Sequence, residues 1–137
     1  MCRTNQAREK EAEEVKKVMI QGRLPTANEY IDACRKNRYA AAKMKRDAET
    51  LIIWQAKRLL PIKQKVRIRL TWYEENRRRD PDNVRFGVKF ILDALQKCGK
   101  LKNDNSEYIA GFEDEFVYGQ QQGVLIEIKE CGNGKKL

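Results

Sequence analysis

Two aspartates separated by a single proline are the residues whose types and spacing most favour chemistry in this chain. They lie in the segment Arg79-Asp80-Pro81-Asp82-Asn83, where a predicted strand has ended and a predicted helix begins. Pro81 restricts the backbone, so both carboxylates are held with little freedom, and oxygen ligands held in this way suit a hard cation such as Mg²⁺. The same segment is also typical of a turn followed by a helix N-cap, in which Asp82 or Asn83 binds free backbone amides.

Basic residues around the acidic pair favour the chemical interpretation over the capping one. The arginines of segment 77–79 directly precede the pair, so a cation site would lie inside a patch that attracts phosphate. A metal beside phosphate indicates phosphoryl chemistry. In the predicted helix, Asp82, Lys89 and Asp93 are spaced by seven and four residues and share one face. The alternative for Lys89 and Asp93 is a surface ion pair of about 0.3–0.5 kcal/mol, and Asp93 is interpreted in that structural way.

A polar turn after this helix, Gly99 to Asn105, supplies a third carboxylate, Asp104. An aspartate in such a turn is ordinary by itself, so Asp104 gains interest only beside the acidic pair. The chain contains no histidine, which excludes His triads, His–metal sites and His general bases. Any catalysis would therefore depend on carboxylates, Lys, Tyr or Cys.

Strands and helices that must position these residues alternate irregularly along the chain. Periodicity predicts strands over 15–21, 65–73, 112–118 and 123–129, one or two helices over 27–60, and one helix over 83–96. A length of 137 residues favours one domain. We therefore predict an α+β domain over residues 15–137, with a mixed β-sheet packed with helices. Residues 1–14 are predicted to form a flexible or helical extension.

Composition narrows the class of partner and the compartment. The chain has 29 Lys and Arg against 20 Asp and Glu, a formal net charge of +9, which favours a polyanionic partner. No stretch approaches the roughly 20 apolar residues of a membrane span, and the polar start is unlike a signal peptide. We expect a cytoplasmic protein without membrane contact. The four cysteines lie far apart without a Cys-x-x-Cys motif, so free thiols are expected.

Taken together, these segments resemble the RusA family of Holliday-junction resolvases. The family pattern is Arg-Asp-x-Asp-Asn, a Lys in the next helix, Leu-Asp-Ala-Leu, then Gly and a paired acidic turn. The matching residues are Arg79-Asp80-Pro81-Asp82-Asn83, Lys89, Leu92-Asp93-Ala94-Leu95, Gly99 and Asn103-Asp104. The stretch 22–30 also resembles the family's Pro-x-x-Asn signature after its first strand. The resemblance covers about residues 15 to 130, and with the small size of the chain it suggests a phage or prophage member.

This resemblance implies a homodimer that binds four-way junction DNA and makes paired, symmetry-related cuts with Mg²⁺ or Mn²⁺, without a small-molecule cofactor. It implies that Asp80, Asp82 and Asp104 bind the metal and that Lys89 is the catalytic cation. Lys89 is chosen over Arg85 because it precedes the Leu-Asp-Ala-Leu aspartate by four residues, as in the family.

Two departures from the family pattern fall within these motifs. Asn103 stands where the family has the first Asp of its acidic turn. This difference would weaken metal binding, or Asn103 would contact the metal ligands without binding the metal itself. The interval from Asn83 to Lys89 is about two residues longer than in the founding bacterial member.

Contacts with DNA are expected from basic residues on the polar face of the second strand and around the acidic pair. The residues are Arg67, Arg69, Arg77, Arg78, Arg79 and Lys102. Arg67 and Arg69 are favoured because a rigid sheet face can follow a phosphate backbone. The basic residues between Lys43 and Arg58 are explained equally well as solvated charges on a helix face.

Three other functions are compatible with the sequence. The first is a non-catalytic branched-DNA-binding protein that lost its metal through Asn103. The second is a metal-dependent glycosyl or nucleotidyl transferase, which also uses Asp-x-Asp, although no nucleotide-binding unit is recognisable. The third, a structural ribonucleoprotein component, is supported only by charge.

Overall fold

A mixed four-stranded β-sheet covered by helices forms the fold in the computed structural model, which describes residues 16–119 and 121–131. Its strands are β1 (Lys17–Gln21), β2 (Val66–Glu74), β3 (Ile109–Tyr118) and β4 (Gly123–Glu130), and its helices are α1 (Ala27–Lys36), α2 (Arg38–Gln55), α3 (Pro81–Arg85) and α4 (Val88–Lys97). The predicted α+β domain with a mixed sheet is confirmed. The extension predicted over residues 1–14 lies outside the described residues.

Strand β2 is central and explains how the sheet and the helices share one core. Its Val66, Ile68, Leu70 and Trp72 are buried on one face, as the alternating pattern predicts. They pack in one cluster with buried side chains of α2 and α4, such as Ile52 and Phe90. Each such buried side chain contributes about 1.5–3 kcal/mol relative to an exposed one, so β2 is firmly held.

The sheet order is β1-β4-β2-β3, in which β2 and β3 are parallel and the other neighbours are antiparallel. Strands β3 and β4 follow each other in the sequence, yet β2 lies between them. The connection crosses the end of β2, where the Gly119 amide donates to the Glu74 carbonyl at 2.9 Å. The chain after Glu74, which leads to the acidic pair, therefore leaves the sheet at the end of β2, where this hydrogen bond holds the strand.

The region predicted as one or two helices over 27–60 forms two, because Asn37 interrupts it. Asn37 has an extended backbone, with φ −173°, and its side-chain oxygen accepts a hydrogen bond from the Ala40 amide at 2.8 Å. Helix α1 begins with a capping box, in which Thr26 and Glu29 each accept a hydrogen bond from the other's amide. The capping box thus fixes the start of α1.

The prediction of a single helix over 83–96 is wrong, because α3 ends at Arg85 and α4 begins at Val88. Between them, hydrogen bonds to the third residue back replace helical ones, for example Gly87 to Val84. A Cβ at Gly87 would lie 3.2 Å from the Trp72 ring and from the Leu24 side chain. Close packing against these two residues accompanies the break, which local periodicity does not reveal.

Other expectations from the sequence hold within the described residues. Strands β2, β3 and β4 match their predictions with small shifts of their ends. Strand β1 begins at Lys17 because Lys16 lies in a turn, and residue 15 lies outside the described part. Cys34, Cys98 and Cys131 are free thiols, as expected, while Cys2 lies outside the described part. None of the helices described is long and apolar enough to cross a membrane.

Candidate functional site

The acidic pair lies where the sequence predicts, at the start of a helix after the central strand. Asp80 occupies the N-cap position of α3 with an extended backbone, and Pro81 opens the helix. The Asp80 side chain makes no capping hydrogen bond, and both Asp80 and Asp82 are exposed. Neither forms a salt bridge with another described residue. The capping interpretation, which gave the N-cap to Asp82 or Asn83, is wrong because both lie inside α3 and the N-cap is Asp80. The carboxylates of Asp80 and Asp82 are both accessible to a cation.

Arg79, immediately before the pair, is tied to the end of β2. Its Nε and Nη2 donate to the two carboxylate oxygens of Glu74 at 2.8 and 2.7 Å, and the side chains are only 19% and 7% exposed. Its Nη1 lies 3.9 Å from a carboxylate oxygen of Glu29 and is buried without a hydrogen-bond partner among the described residues. The structure thus gives Arg79 a supporting role beside Asp80, and its predicted contact with DNA stays a prediction.

The two cations considered for catalysis, Arg85 and Lys89, differ in what surrounds them. Arg85 donates from Nε to Asp114 on β3 at 2.8 Å, and the other oxygen of Asp114 accepts from the Trp72 indole at 2.9 Å. This bond commits Arg85 to fastening α3 onto the sheet. Lys89, at the start of α4, is exposed and forms no salt bridge within the described ranges. The surroundings therefore support the choice of Lys89 over Arg85.

Asp93 has a structural role, as predicted, but with a different partner. Its carboxylate lies 3.5 Å from the Lys45 ammonium on α2, so the predicted pair with Lys89 is wrong. Lys45 also lies 3.9 Å from Glu49. Asp93 therefore helps to join α2 and α4, a contact that spacing along one helix does not predict.

Asp104 is exposed in the loop between α4 and β3, and its amide donates to the Asn103 side chain at 2.8 Å. The following residues anchor this loop at the start of β2, where the Val66 amide donates to the Tyr108 carbonyl. The acidic pair is instead tied to Glu74 at the end of β2. At about 3.3 Å per residue, these two ends of the strand are about 26 Å apart.

The three aspartates predicted as metal ligands lie in two segments, the pair after the end of β2 and Asp104 in the loop that is anchored at its start. Among the residues that the structure describes, no group of three or more His, Cys, Asp or Glu side chains could hold a metal ion. Magnesium, however, is commonly bound through one or two carboxylates together with substrate phosphate and water. Asp80 and Asp82 fit that mode by their donor chemistry and exposure, and the role of Asp104 as a third ligand stays a prediction.

The face of β2 that carries Arg67 and Arg69, which we call the open face of the sheet, is more acidic than the sequence indicates. The guanidinium of Arg69 contacts three carboxylates from the neighbouring strands, those of Glu113, Glu115 and Glu127. This surplus of negative charge makes Arg69 a weaker phosphate ligand than strand alternation predicts. The sequence pattern did not predict these contacts, because the glutamates are far from Arg69 in the chain. They reach it only through the register of β3 and β4 against β2.

The remaining predicted DNA contacts have fewer competing partners. Arg67, Arg77, Arg78 and Lys102 are exposed, and none of them forms a salt bridge with a described residue. The Arg77 guanidinium stacks on the Tyr118 ring, with 4.2 Å between them. Arg77 and Arg78 leave positive charge beside the acidic pair.

No protein-family model matches the chain, and no curated protein is significantly similar to it. The resemblance to the RusA resolvases therefore rests on the residues quoted from the sequence.

Proposed function

We propose that the chain is a metal-dependent, structure-selective endodeoxyribonuclease that resolves Holliday junctions by paired hydrolysis of phosphodiester bonds. The supporting observation is that Asp80 and Asp82 are exposed after the central strand and that the Asp80 carboxylate takes no part in capping α3. Two accessible carboxylates beside Arg77 and Arg78 suit Mg²⁺ or Mn²⁺ together with a phosphodiester. The resemblance to the RusA resolvases implies four-way DNA as the substrate.

In this proposal, separate residues bind the metal, stabilise charge and position the backbone. Asp80 and Asp82 would hold the divalent ion, which when bound supplies Lewis-acid polarisation of the scissile phosphate. Lys89 stabilises the negative charge that grows on the phosphoryl oxygens and the leaving 3′ oxygen, an interaction that strengthens in the transition state. The buried Arg79–Glu74 pair fixes the backbone next to Asp80. Asp104 is the third ligand that the resemblance implies.

Binding in this proposal comes from phosphate contacts and from symmetry. Arg77, Arg78 and Lys102 contact the DNA backbone, with Arg67 on the sheet face. A homodimer presents two such sites to a two-fold symmetric junction and makes two symmetrical cuts. Such a protein acts on cytoplasmic DNA.

Incubation with a mobile four-way junction and a linear duplex, each with Mg²⁺ or a chelator, tests the proposal. We expect paired nicks in the junction only with Mg²⁺. Asp82→Asn should lower cleavage by at least about 100-fold while junction binding is retained. Asp32→Asn makes the same change on the exposed surface of α1 and serves as the control. Near-normal cleavage by Asp82→Asn would contradict the assignment.

Asp104→Asn, in the same assay, tests the part of the proposal that comes from the resemblance. Loss of cleavage would support Asp104 as a metal ligand together with Asp80 and Asp82. Retained cleavage would restrict the metal ligands to Asp80 and Asp82. A second candidate function, non-catalytic branched-DNA binding, is favoured because the described residues contain no group of three or more His, Cys, Asp or Glu side chains that could hold a metal ion. Tight junction binding without cleavage in either Mg²⁺ or Mn²⁺ would establish that second function.

A further inference from the structure

The solvent face of α2 carries aromatic and basic side chains that neither the core nor the acidic pair uses. Residues at helical spacing share this face. They are Tyr39, Lys43, Arg46, Thr50 and Trp54, all exposed, with Lys57 just after the helix end. We call these six residues the α2 outer face. Tyr39 is 83% exposed and Trp54 65% exposed, so both rings are available to a ligand.

Trp54 has surroundings that suit a flat, negatively charged ligand. The Lys57 ammonium lies 3.8 Å from the centroid of the indole ring, a cation–π contact. The other described tryptophan, Trp72, is 2% exposed and belongs to the core. A large ring held in water beside a cation offers both a stacking surface and a phosphate contact.

The charge of this face favours a polyanion. Arg46 and Lys57 form no salt bridge with any other described residue. Lys43 pairs with Asp47, but both side chains are more than half exposed, and such pairs are worth little. The face also has no aliphatic stripe of the kind that inserts into a lipid surface. A nucleic acid has both groups that this face can bind, since its bases stack on aromatic rings and its phosphates bind cations.

We propose that the α2 outer face binds an unpaired nucleic-acid strand, with bases stacked on Trp54 and Tyr39 and phosphates on Arg46 and Lys57. A single strand is preferred to a duplex because the faces of paired bases are covered by their neighbours. The two rings are separated by about 22 Å along the helix at 1.5 Å per residue, which accommodates several nucleotides. Binding of this kind is tolerant of sequence. It is independent of the acidic pair and holds whether or not the chain cleaves DNA.

The test uses the full chain and a short oligothymidylate in chelator, which prevents cleavage. Stacking on Trp54 should quench tryptophan emission, while the buried Trp72 gives a constant background. Trp54→Ala should abolish the quench and weaken binding, measured by anisotropy of a labelled oligonucleotide, by about 5- to 100-fold. Trp54→Phe keeps a ring and should retain most of the affinity.

Val117→Ala is the matched control, because Val117 is also an exposed apolar residue but lies on β3. It should bind the oligonucleotide as the unmodified chain does. Equal binding by Trp54→Ala, equal binding of a duplex of the same length, or a preference for anionic phospholipid vesicles would overturn the proposal. Asp82→Asn should bind the single strand normally, so failure of this inference and failure of the proposed nuclease activity are distinguishable.

Discussion

Arg78 and Arg79 are neighbours in the sequence, and the fold gives them different tasks. Arg78 is exposed, whereas Arg79 is largely buried in a two-hydrogen-bond pair with Glu74. A buried pair of this geometry is costly to break, since removing one partner leaves the other charge desolvated and unpaired. The side chain of Arg79, which directly precedes Asp80, therefore contributes to the stability of the domain.

Glu74→Ala should lower the free energy of unfolding by about 3–5 kcal/mol, measured by urea denaturation. The reason is that the Arg79 guanidinium loses both of its hydrogen-bond acceptors. Arg78→Ala, an exposed truncation, should stay within about 0.5 kcal/mol of the unmodified chain. Equal urea midpoints for the two variants would show that the pair contributes nothing.

The carboxyl of Glu29, at the start of α1, should make the stability of the fold depend on pH. Partial burial raises the pKa of its carboxyl, but hydrogen bonds from the Arg23 side chain and the Thr26 amide, with the charge of Arg23, hold the net pKa below 4.5. A lowered folded-state pKa gives stability that is present above the unfolded value and is lost as the pH falls through the folded one. The stability difference between the unmodified chain and Glu29→Gln should therefore be full at neutral pH and shrink below pH 4.5. An unchanged difference in acid unfolding curves would contradict this.

At the scale of elements, α2 and α4 are joined by charges as well as by apolar packing. Glu49 of α2 is 3% exposed and accepts a hydrogen bond from the Lys97 ammonium. Its second carboxylate oxygen is buried without a hydrogen-bond partner in the described part of the chain. The lysine is more than half exposed, so it can return to water if Glu49 is replaced. Desolvation of this carboxylate is thus only partly compensated.

Glu49→Met should leave the free energy of unfolding unchanged or raise it by about 1–4 kcal/mol, as replacement of buried ionic groups by apolar ones often does. Thermal or urea unfolding measures the change. Asp47→Met, on the exposed side of the same helix, is the control and should change stability by less than about 0.5 kcal/mol. A loss of stability in Glu49→Met alone would show that the ion pair contributes more than its desolvation costs.

At the scale of the whole molecule, the net charge of +9 is distributed unevenly. The open sheet face holds the glutamates around Arg69, whereas Arg77 and Arg78 have no carboxylate partner within the described ranges. Phosphate contacts should therefore concentrate beside the acidic pair. Positive charge placed there attracts the phosphodiester to the site where it would be cut.

Junction affinity should fall linearly with salt on a double-logarithmic plot, with a slope of about 0.9 for each phosphate contacted. Arg77→Ala and Arg78→Ala should each reduce the slope by about that amount. Arg69→Ala should leave it nearly unchanged, because the guanidinium is already surrounded by carboxylates. Anisotropy titrations over a range of salt concentrations in chelator measure all three, and a large effect at Arg69 alone would reverse this assignment.

The sequence by itself determined the central strand and the context of the acidic pair. Alternation from Val66 to Trp72 predicts the central strand because side chains of a strand point to opposite faces in turn. Pro81 predicts a restricted backbone between the strand and the following helix, because its ring fixes φ and it lacks an amide proton. Both signals depend on residues a few positions apart, so no knowledge of the rest of the chain was needed.

Only the tertiary structure decided the partners of the charged residues. Arg69 meets Glu113 and Glu127 through the order and register of the strands, and Arg85 meets Asp114 across 29 positions of sequence. The break at Gly87 and the position of Asp104 also depend on packing around β2. A local pattern specifies which face of an element is apolar, but the whole core fixes which elements are neighbours, and that choice sets the surroundings of each charge.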